Sequence, residues 1–387
     1  MSLLRNLTLA ALSFAMVAAA QQTNTIVVAD QANRVIRIGL SGFSGEAKNV
    51  LEFDLYVAGF DIVAPSRAEF LLNGKNETQV EGALSDAQNK AELFNRAYPG
   101  GSSRAQAHAL ADDVVLAVTG RKGISKSKIV FKVQKDRSSE VYAADFDGAN
   151  PVQLTEDNNI VAAPAWRPGY RAIYYTSYRG GNADIYSHDL NTGARVPVVR
   201  FSGSNISPAP SPDGSRLAMI LSQGGSPDLW VSDANGGNPQ RLTTTPADES
   251  SPCWSPDGQT ICLVSRESGY PQLYTIPASG GAMKRLTTSG VRNVTEPDWS
   301  PDGKWIAFTR SRGDYFEICI VPSSGGDAKV ICQGEDPSWA PNSRTLVIAT
   351  RTGKYGPRKL SLLDWPTGHV KDAARVDGSS SQPNWNR

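Results

Sequence analysis

The stretch PCWSPDGQTICLVS, residues 252–265, decides the fold, because it returns twice in close copy. PDWSPDGKWIAFTR occupies residues 297–310, and PAPSPDGSRLAMIL occupies residues 208–221. In each copy an apolar run follows Asp-Gly, a strong short-range hairpin signal, and a two-residue type I′ turn is predicted there. Turn chemistry accounts for both the serine and the aspartate, so the motif reads as structural rather than catalytic.

Alignment on the residue two before the proline of SPDG extends the series to six anchors: Trp166, Pro210, Trp254, Trp299, Trp339 and Trp385. They are spaced 44, 44, 45, 40 and 46 residues apart, and a proline stands two positions before each one. Three further short runs recur in every unit, the second ending in a glycine turn and the last being AARV, residues 373–376, in the sixth unit. Four short strands in about 40–45 residues make a β-propeller blade. The fold class is therefore mainly β: a six-bladed propeller preceded by a small α/β domain. The anchor tryptophans are expected to fill space between neighbouring sheets. The first unit has no anchor strand of its own, whereas the chain ends on a spare one, SQPNWNR. That strand is predicted to close the ring as the innermost strand of the first blade, hiding an exposed sheet edge.

The N-terminus reads MSLLRNLTLAALSFAMVAAAQQ. A charged Arg5, an apolar run from Leu7 to Val17 and Ala18-Ala19-Ala20 have the layout of a secretory signal. The run is shorter than the ~20 residues a membrane helix needs. Residues 1–20 are predicted to be cleaved near Ala20, leaving a soluble exported chain that starts at Gln21. The formal net charge of +1 gives no electrostatic reason to bind nucleic acid or an acidic membrane surface. The 35 glycines and 24 prolines fit many short strands and turns. Residues 21–122 read as the α/β domain and 126–387 as the propeller. Within the former, helices are predicted at 46–58 and 103–119. The second has Ser102 or Ser103 as its cap and Gly120 past its end.

The chain resembles the TolB family of exported propeller proteins. AVTGRKGISKSKIVFK, residues 117–132, is similar to the family's junction between its last N-terminal helix and its first blade. VADQANRVIRIGLSGF resembles the opening strands, and RLTTTPADESSPCWSPDG and RLTTSGVRNVTEPDWSPDG resemble the blades. The resemblance implies a periplasmic, monomeric, non-enzymatic scaffold of the Tol–Pal envelope system, supporting outer-membrane integrity, protein import and cell division. It implies that the propeller binds the peptidoglycan-associated lipoprotein Pal. It also implies that TolA, a membrane-anchored protein, binds the N-terminal segment, here Thr25, Ile26, Val27, Val28, Ala29 and Asp30. Asn293, Thr295 and Glu296 match the family's partner-contacting loop. Glu249 and Ser250 lie at the equivalent places one blade earlier, and Asp336 one blade later.

The rival readings are a peptidase-related propeller without its catalytic domain and a glycan-binding propeller. No G-x-S-x-G nucleophile elbow occurs. The three histidines, His108, His188 and His369, have no zinc-site spacing. No catalytic residue, metal or cofactor is expected. The four cysteines allow two disulfides by hairpin register. Cys253 would oppose Cys262 across Asp257-Gly258, and Cys319 would oppose Cys332 across Gly325-Gly326. Buried free thiols are the alternative.

Overall fold

The computed structural model describes residues 34–353 and 356–387. The predicted signal sequence and the Thr25–Asp30 segment lie outside the described residues. An N-terminal five-stranded sheet is built from β1 (Ile36–Ser41), β2 (Phe60–Ile62), β3 (Phe70–Lys75), β4 (Val80–Asp86) and β5 (Glu92–Tyr98), in the order β2-β1-β3-β4-β5. Helices α1 (Gly45–Val57) and α2 (Ser103–Thr119) pack on it through Leu51, Leu55, Leu110 and Val114, which are buried with Ile38, Leu72 and Leu84. Helix α2 starts where Ser102 Oγ accepts from Ala105 N at 3.2 Å, and it ends at left-handed Gly120. These are the cap types its sequence calls for.

Six four-stranded antiparallel sheets follow. The inner strands of blades 1 to 6 are Ser379–Trp385, Val161–Trp166, Asn205–Pro210, Glu249–Trp254, Val294–Trp299 and Glu335–Trp339. The strand Ser379–Trp385 pairs with Lys128–Lys135, so the end of the chain is the innermost strand of blade 1. Trp254 is buried among Ala218 and Ile220 of blade 3 and Ile261 and Leu263 of its own blade, the between-sheet place expected of an anchor. The outer strand of blade 6 is His369–Asp372, not the run at 373–376. The pairing Asp364↔His369 sets the hairpin one turn earlier, and Ala373 caps the sheet through Ala373 N to Leu360 O at 3.0 Å.

The SPDG turn differs from type I′. Gly258 N donates to Ser255 O at 2.9 Å, and among the turn residues Gly258 carries the positive φ of 67° while Asp257 does not. Proline at the second position and glycine at the fourth are the residues of a type I turn. Asp257 Oδ1 accepts from Ser255 Oγ at 2.5 Å and from Gln259 N at 3.0 Å, while Ser255 Oγ accepts from Thr260 N at 3.0 Å. Both polar residues of the motif are thus used within the turn.

Cys253 does oppose Cys262, but all four cysteines are thiols. The expected Cys319–Cys332 register is wrong: Cys332 opposes Ile318 and Cys319 opposes Val330. A bulge at Ile331 adds one residue to the outer strand and shifts the pairing.

Turns that follow the tryptophan end of the inner strands make one face of the ring, and loops that enter the inner strands make the other. The α/β domain sits on the first face. Arg344 lies against Gly59, His369 stacks on Tyr56 at 4.3 Å, and Arg104 pairs with Asp147. The entry face is the one turned away from it.

Candidate partner-binding site at the channel mouth

Every inner strand carries one bulge, and its residue stands immediately before the strand's proline. These residues are Ala163, Ser207, Ser251, Glu296, Asp336 and Gln382, all with φ between 47° and 56°. The left-handed bulge turns their N–H groups and side chains towards the channel, a cavity of about 440 Å3 that all six residues line. Over part of the ring each side chain covers the N–H of the next blade. Glu296 Oε2 accepts from Asp336 N at 3.2 Å, Asp336 Oδ2 from Gln382 N at 2.8 Å, and Gln382 Oε1 from Ala163 N at 3.0 Å. A second tier does the same one layer deeper. Asp298 Oδ2 accepts from Trp339 N at 2.7 Å, Ser338 Oγ from Trp385 N at 3.1 Å, and Asn384 Oδ1 from Trp166 N at 2.9 Å. Arg387 ties blades 5 and 6 to the closing strand. It donates to Trp299 O at 3.0 Å and Trp339 O at 3.1 Å, and it pairs with Asp298.

The six residues matched to the partner loop fall into two groups. Asn293 is exposed, and Thr295 and Ser250 are half-buried at the entry-face mouth. Arg292 beside them lies over the Tyr270 ring at 5.2 Å. The three carboxylates are turned inwards. Glu249 is 1% exposed and accepts from Thr245 at 2.8 Å, Ser265 at 3.0 Å and Thr243 at 3.2 Å. Glu296 accepts from Thr309 Oγ1 at 2.8 Å, and its carboxyl reaches that of Asp336. Burial, and then the facing Asp336 charge, push Glu296 well above the usual carboxylate range; burial raises Asp336 as well. Burial and the mutual repulsion of two facing carboxylates both favour the protonated form in this pair. Their role is to hold blades 5 and 6 together.

Sequence reasoning missed Asp298, Thr309, Ser338, Gln382 and Asn384. The signal was present in the period: four of them flank the inner-strand proline at the same spacing as the anchors.

Among the described residues, no group of three or more His, Cys, Asp or Glu is placed to hold a metal ion, and no helix is long and apolar enough to cross a membrane. The anchor indoles of Trp166, Trp254, Trp299, Trp339 and Trp385 are at most 8% exposed. They offer no aromatic platform at the mouth, which a glycan-binding propeller would need.

Residues 115–387 match the family model of the TolB beta propeller domain. A protein described as TolB homolog from Chlorobium chlorochromatii is 35% identical over 136 residues, covering 35% of this chain and 31% of its own. The Tol-Pal system protein TolB of Bordetella parapertussis is 33% identical over 176 residues, covering 43% and 40%. The aligned regions thus span less than half the length of these curated relatives. The crystal structure of TolB from Acinetobacter baumannii superposes with a TM-score of 0.81 at 24% identity, covering 91% of this chain and 97% of that one, which shows the shared fold. With six closed blades and a family match across the whole ring, the chain belongs to the TolB propeller family.

Proposed function

We propose that this protein is a non-catalytic periplasmic scaffold of a Tol–Pal-type envelope system. It takes a Pal-like lipoprotein at the entry-face mouth and a TolA-like membrane protein through Thr25–Asp30, and so supports outer-membrane integrity and cell division. The observation that carries the reading is the family match over residues 115–387, joined to a mouth that the α/β domain leaves open. Asn293, Thr295 and Ser250 are the contact residues, because they keep polar groups at the surface, whereas Glu249 and Asp336 are buried and the half-buried Glu296 is engaged with Thr309 and with Asp336 N. Glu249, Glu296 and Asp336 hold the loops that present them.

The test is binding of the lipid-free domain of the organism's own peptidoglycan-associated lipoprotein, measured by calorimetry. Asn293→Arg with Thr295→Arg should weaken binding at least tenfold while the melting temperature moves by about 1 °C or less, as is usual for surface changes. Unchanged affinity in this variant would place the lipoprotein elsewhere.

A further inference from the structure

Blade 6 departs from the pattern that seals the outer layer of the other blades. Leu154 N, Leu242 N, Leu286 N and Ala373 N bond Val141 O, Leu229 O, Leu273 O and Leu360 O, which aligns blades 1, 3, 4 and 6 residue by residue. In blades 1 and 3 the next residue is a threonine whose hydroxyl takes the N–H of the third strand. Thr155 Oγ1 accepts from Val141 N at 2.8 Å, and Thr243 Oγ1 accepts from Leu229 N at 2.9 Å. The residue before that N–H is an acceptor, Glu140, Asp228 or Gln272 in blades 1, 3 and 4, and each takes a bond from a threonine hydroxyl after the outer strand. In blade 6 both positions change: Ala374 has no hydroxyl for Leu360 N, and Lys359 is a cation. A cavity of about 220 Å3 lies at this point, with Phe131, Pro357, Leu360 and Val376 among its walls and Lys359 and Arg375 beside them. It sits at the seam of blades 6 and 1 on the entry face, because Val376 and Gly378 belong to the loop that enters the closing strand Ser379–Trp385. None of its lining residues lines the channel cavity. Arg358 is used up by Glu335, which it reaches at 2.6 and 3.1 Å, and Lys359 pairs with Asp372. Arg375 is exposed at the rim and has no ion-pair partner among the described residues.

We propose that this cavity between blades 6 and 1 binds a small free carboxylate with a short aliphatic stem. Three donors converge on the anion: the Leu360 N–H that no threonine caps, the Lys359 ammonium and the Arg375 guanidinium. An ammonium carries three N–H groups, so Lys359 can hold Asp372 and still donate to a ligand. The apolar walls take the stem, as in other sites where a few polar groups orient a ligand held by apolar contact. The cavity volume of about 220 Å3 is below the ~300–1,000 Å3 of sites for drug-sized molecules, so the stem is short. Phosphate fits less well, because it presents oxygens on every side and some would lie against Phe131 and Val376 without a donor. Lys359 and Ala374 are the residues that make the site, since the other aligned blades place an acceptor at the first position and blades 1 and 3 a hydroxyl at the second. The site is independent of which lipoprotein, if any, the loops of blades 4 and 5 hold.

The test titrates sodium butyrate into the chain from Gln21 at constant ionic strength while backbone amides are followed by NMR. Saturable shifts at Leu360, Ala374 and Gly378 are expected with a Kd of about 1–10 mM, the weak range open to so small a ligand. The aligned amides of Leu229 and Thr243 in blade 3 should not move. Ala374→Thr restores the hydroxyl that blades 1 and 3 carry, and it should weaken butyrate about fivefold or more, the worth of one hydrogen bond, without lowering the melting temperature. Arg375→Ala changes an exposed side chain, so it should fold as the parent does. It should weaken butyrate about threefold, as suits one charge at a solvated rim. No saturable shift up to about 50 mM butyrate overturns the proposal, as does unchanged affinity in either variant. Inorganic phosphate that shifts the same amides at lower concentration than butyrate would overturn the carboxylate. N-acetylalanylalanine binding more than about tenfold tighter than butyrate would place the carboxylate at the end of a peptide chain and overturn the free ligand.

Discussion

Truncating Trp385 to alanine tests how the ring is closed. Trp385 is 2% exposed and packs with Ile129 and Phe131 of blade 1, Val347 and Leu362 of blade 6, and Val57 of α1. Its indole N–H donates to Ser127 Oγ at 2.7 Å. Tryptophan to alanine in a filled core costs about 3–5 kcal/mol, because the lost contacts are joined by a cavity that the surroundings only partly refill. With an unfolding entropy of about 2.1 cal/mol/K per residue over the roughly 260 residues of the propeller, that converts to a drop in melting temperature of roughly 5–9 °C. The backbone N–H of the new alanine still reaches Ser338 Oγ, so the loss reports packing rather than the strand's hydrogen bonds. Differential scanning calorimetry of the two chains at one pH and concentration reads the shift. A drop below about 2 °C would mean that the C-terminal strand is not a working part of the ring, and the closure argued from its pairing would fail.

Gln382→Ala leaves the half-buried Ala163 N without its acceptor and should cost about 0.5–1.5 kcal/mol in urea denaturation, the net contribution of one intramolecular hydrogen bond; no measurable change would remove the upper belt's stabilising role. Glu296→Gln tests the protonation of the Glu296–Asp336 pair. The folded state raises Glu296, so its contribution is full at low pH and is lost as pH rises from about 4, the ordinary glutamate range, through the folded value. The variant should therefore gain stability relative to the parent chain as pH goes from 4 to 8, measured by melting at each pH, and the opposite slope would refute the pairing. Mild oxidation of the native chain should yield a Cys253–Cys262 crosslink and leave Cys319 and Cys332 alkylatable, because only the first pair is in register; a Cys319–Cys332 crosslink by mass analysis would contradict the bulge at Ile331.

What could be read from the chain alone was whatever repeats or is local. The spacing of Trp166 through Trp385 counts the blades, since each unit must write its own hairpins and its own anchor to fold. The spare SQPNWNR strand places the closure for the same reason. Helix α2 was legible from its apolar face, its serine cap and Gly120 because those signals act within a single turn. Where the local signal was weak, the tertiary structure decided. The SPDG turn took its type I form because proline and the Ser255–Asp257 bond set the backbone before Gly258. The outer strand of blade 6 was set by pairing with its neighbour rather than by its own composition.

The candidate site shows the same division at larger range. Sequence alone places Glu249, Glu296 and Asp336 in loops that enter the inner strands, where carboxylates ordinarily face water. Only packing shows that they turn inwards, because their partners lie on other strands: Thr309 beside Glu296, Ser265 beside Glu249, and Gln382 beside Asp336. The bond from Ala163 to Gln382 joins residues 219 apart in the chain, and no local pattern encodes it. Sequence determined that there would be six blades and a closing strand, because a repeated unit folds by its own turns and apolar runs. The ring determined which N–H groups are covered and which stay open to the channel, because that depends on one side chain from each neighbouring sheet.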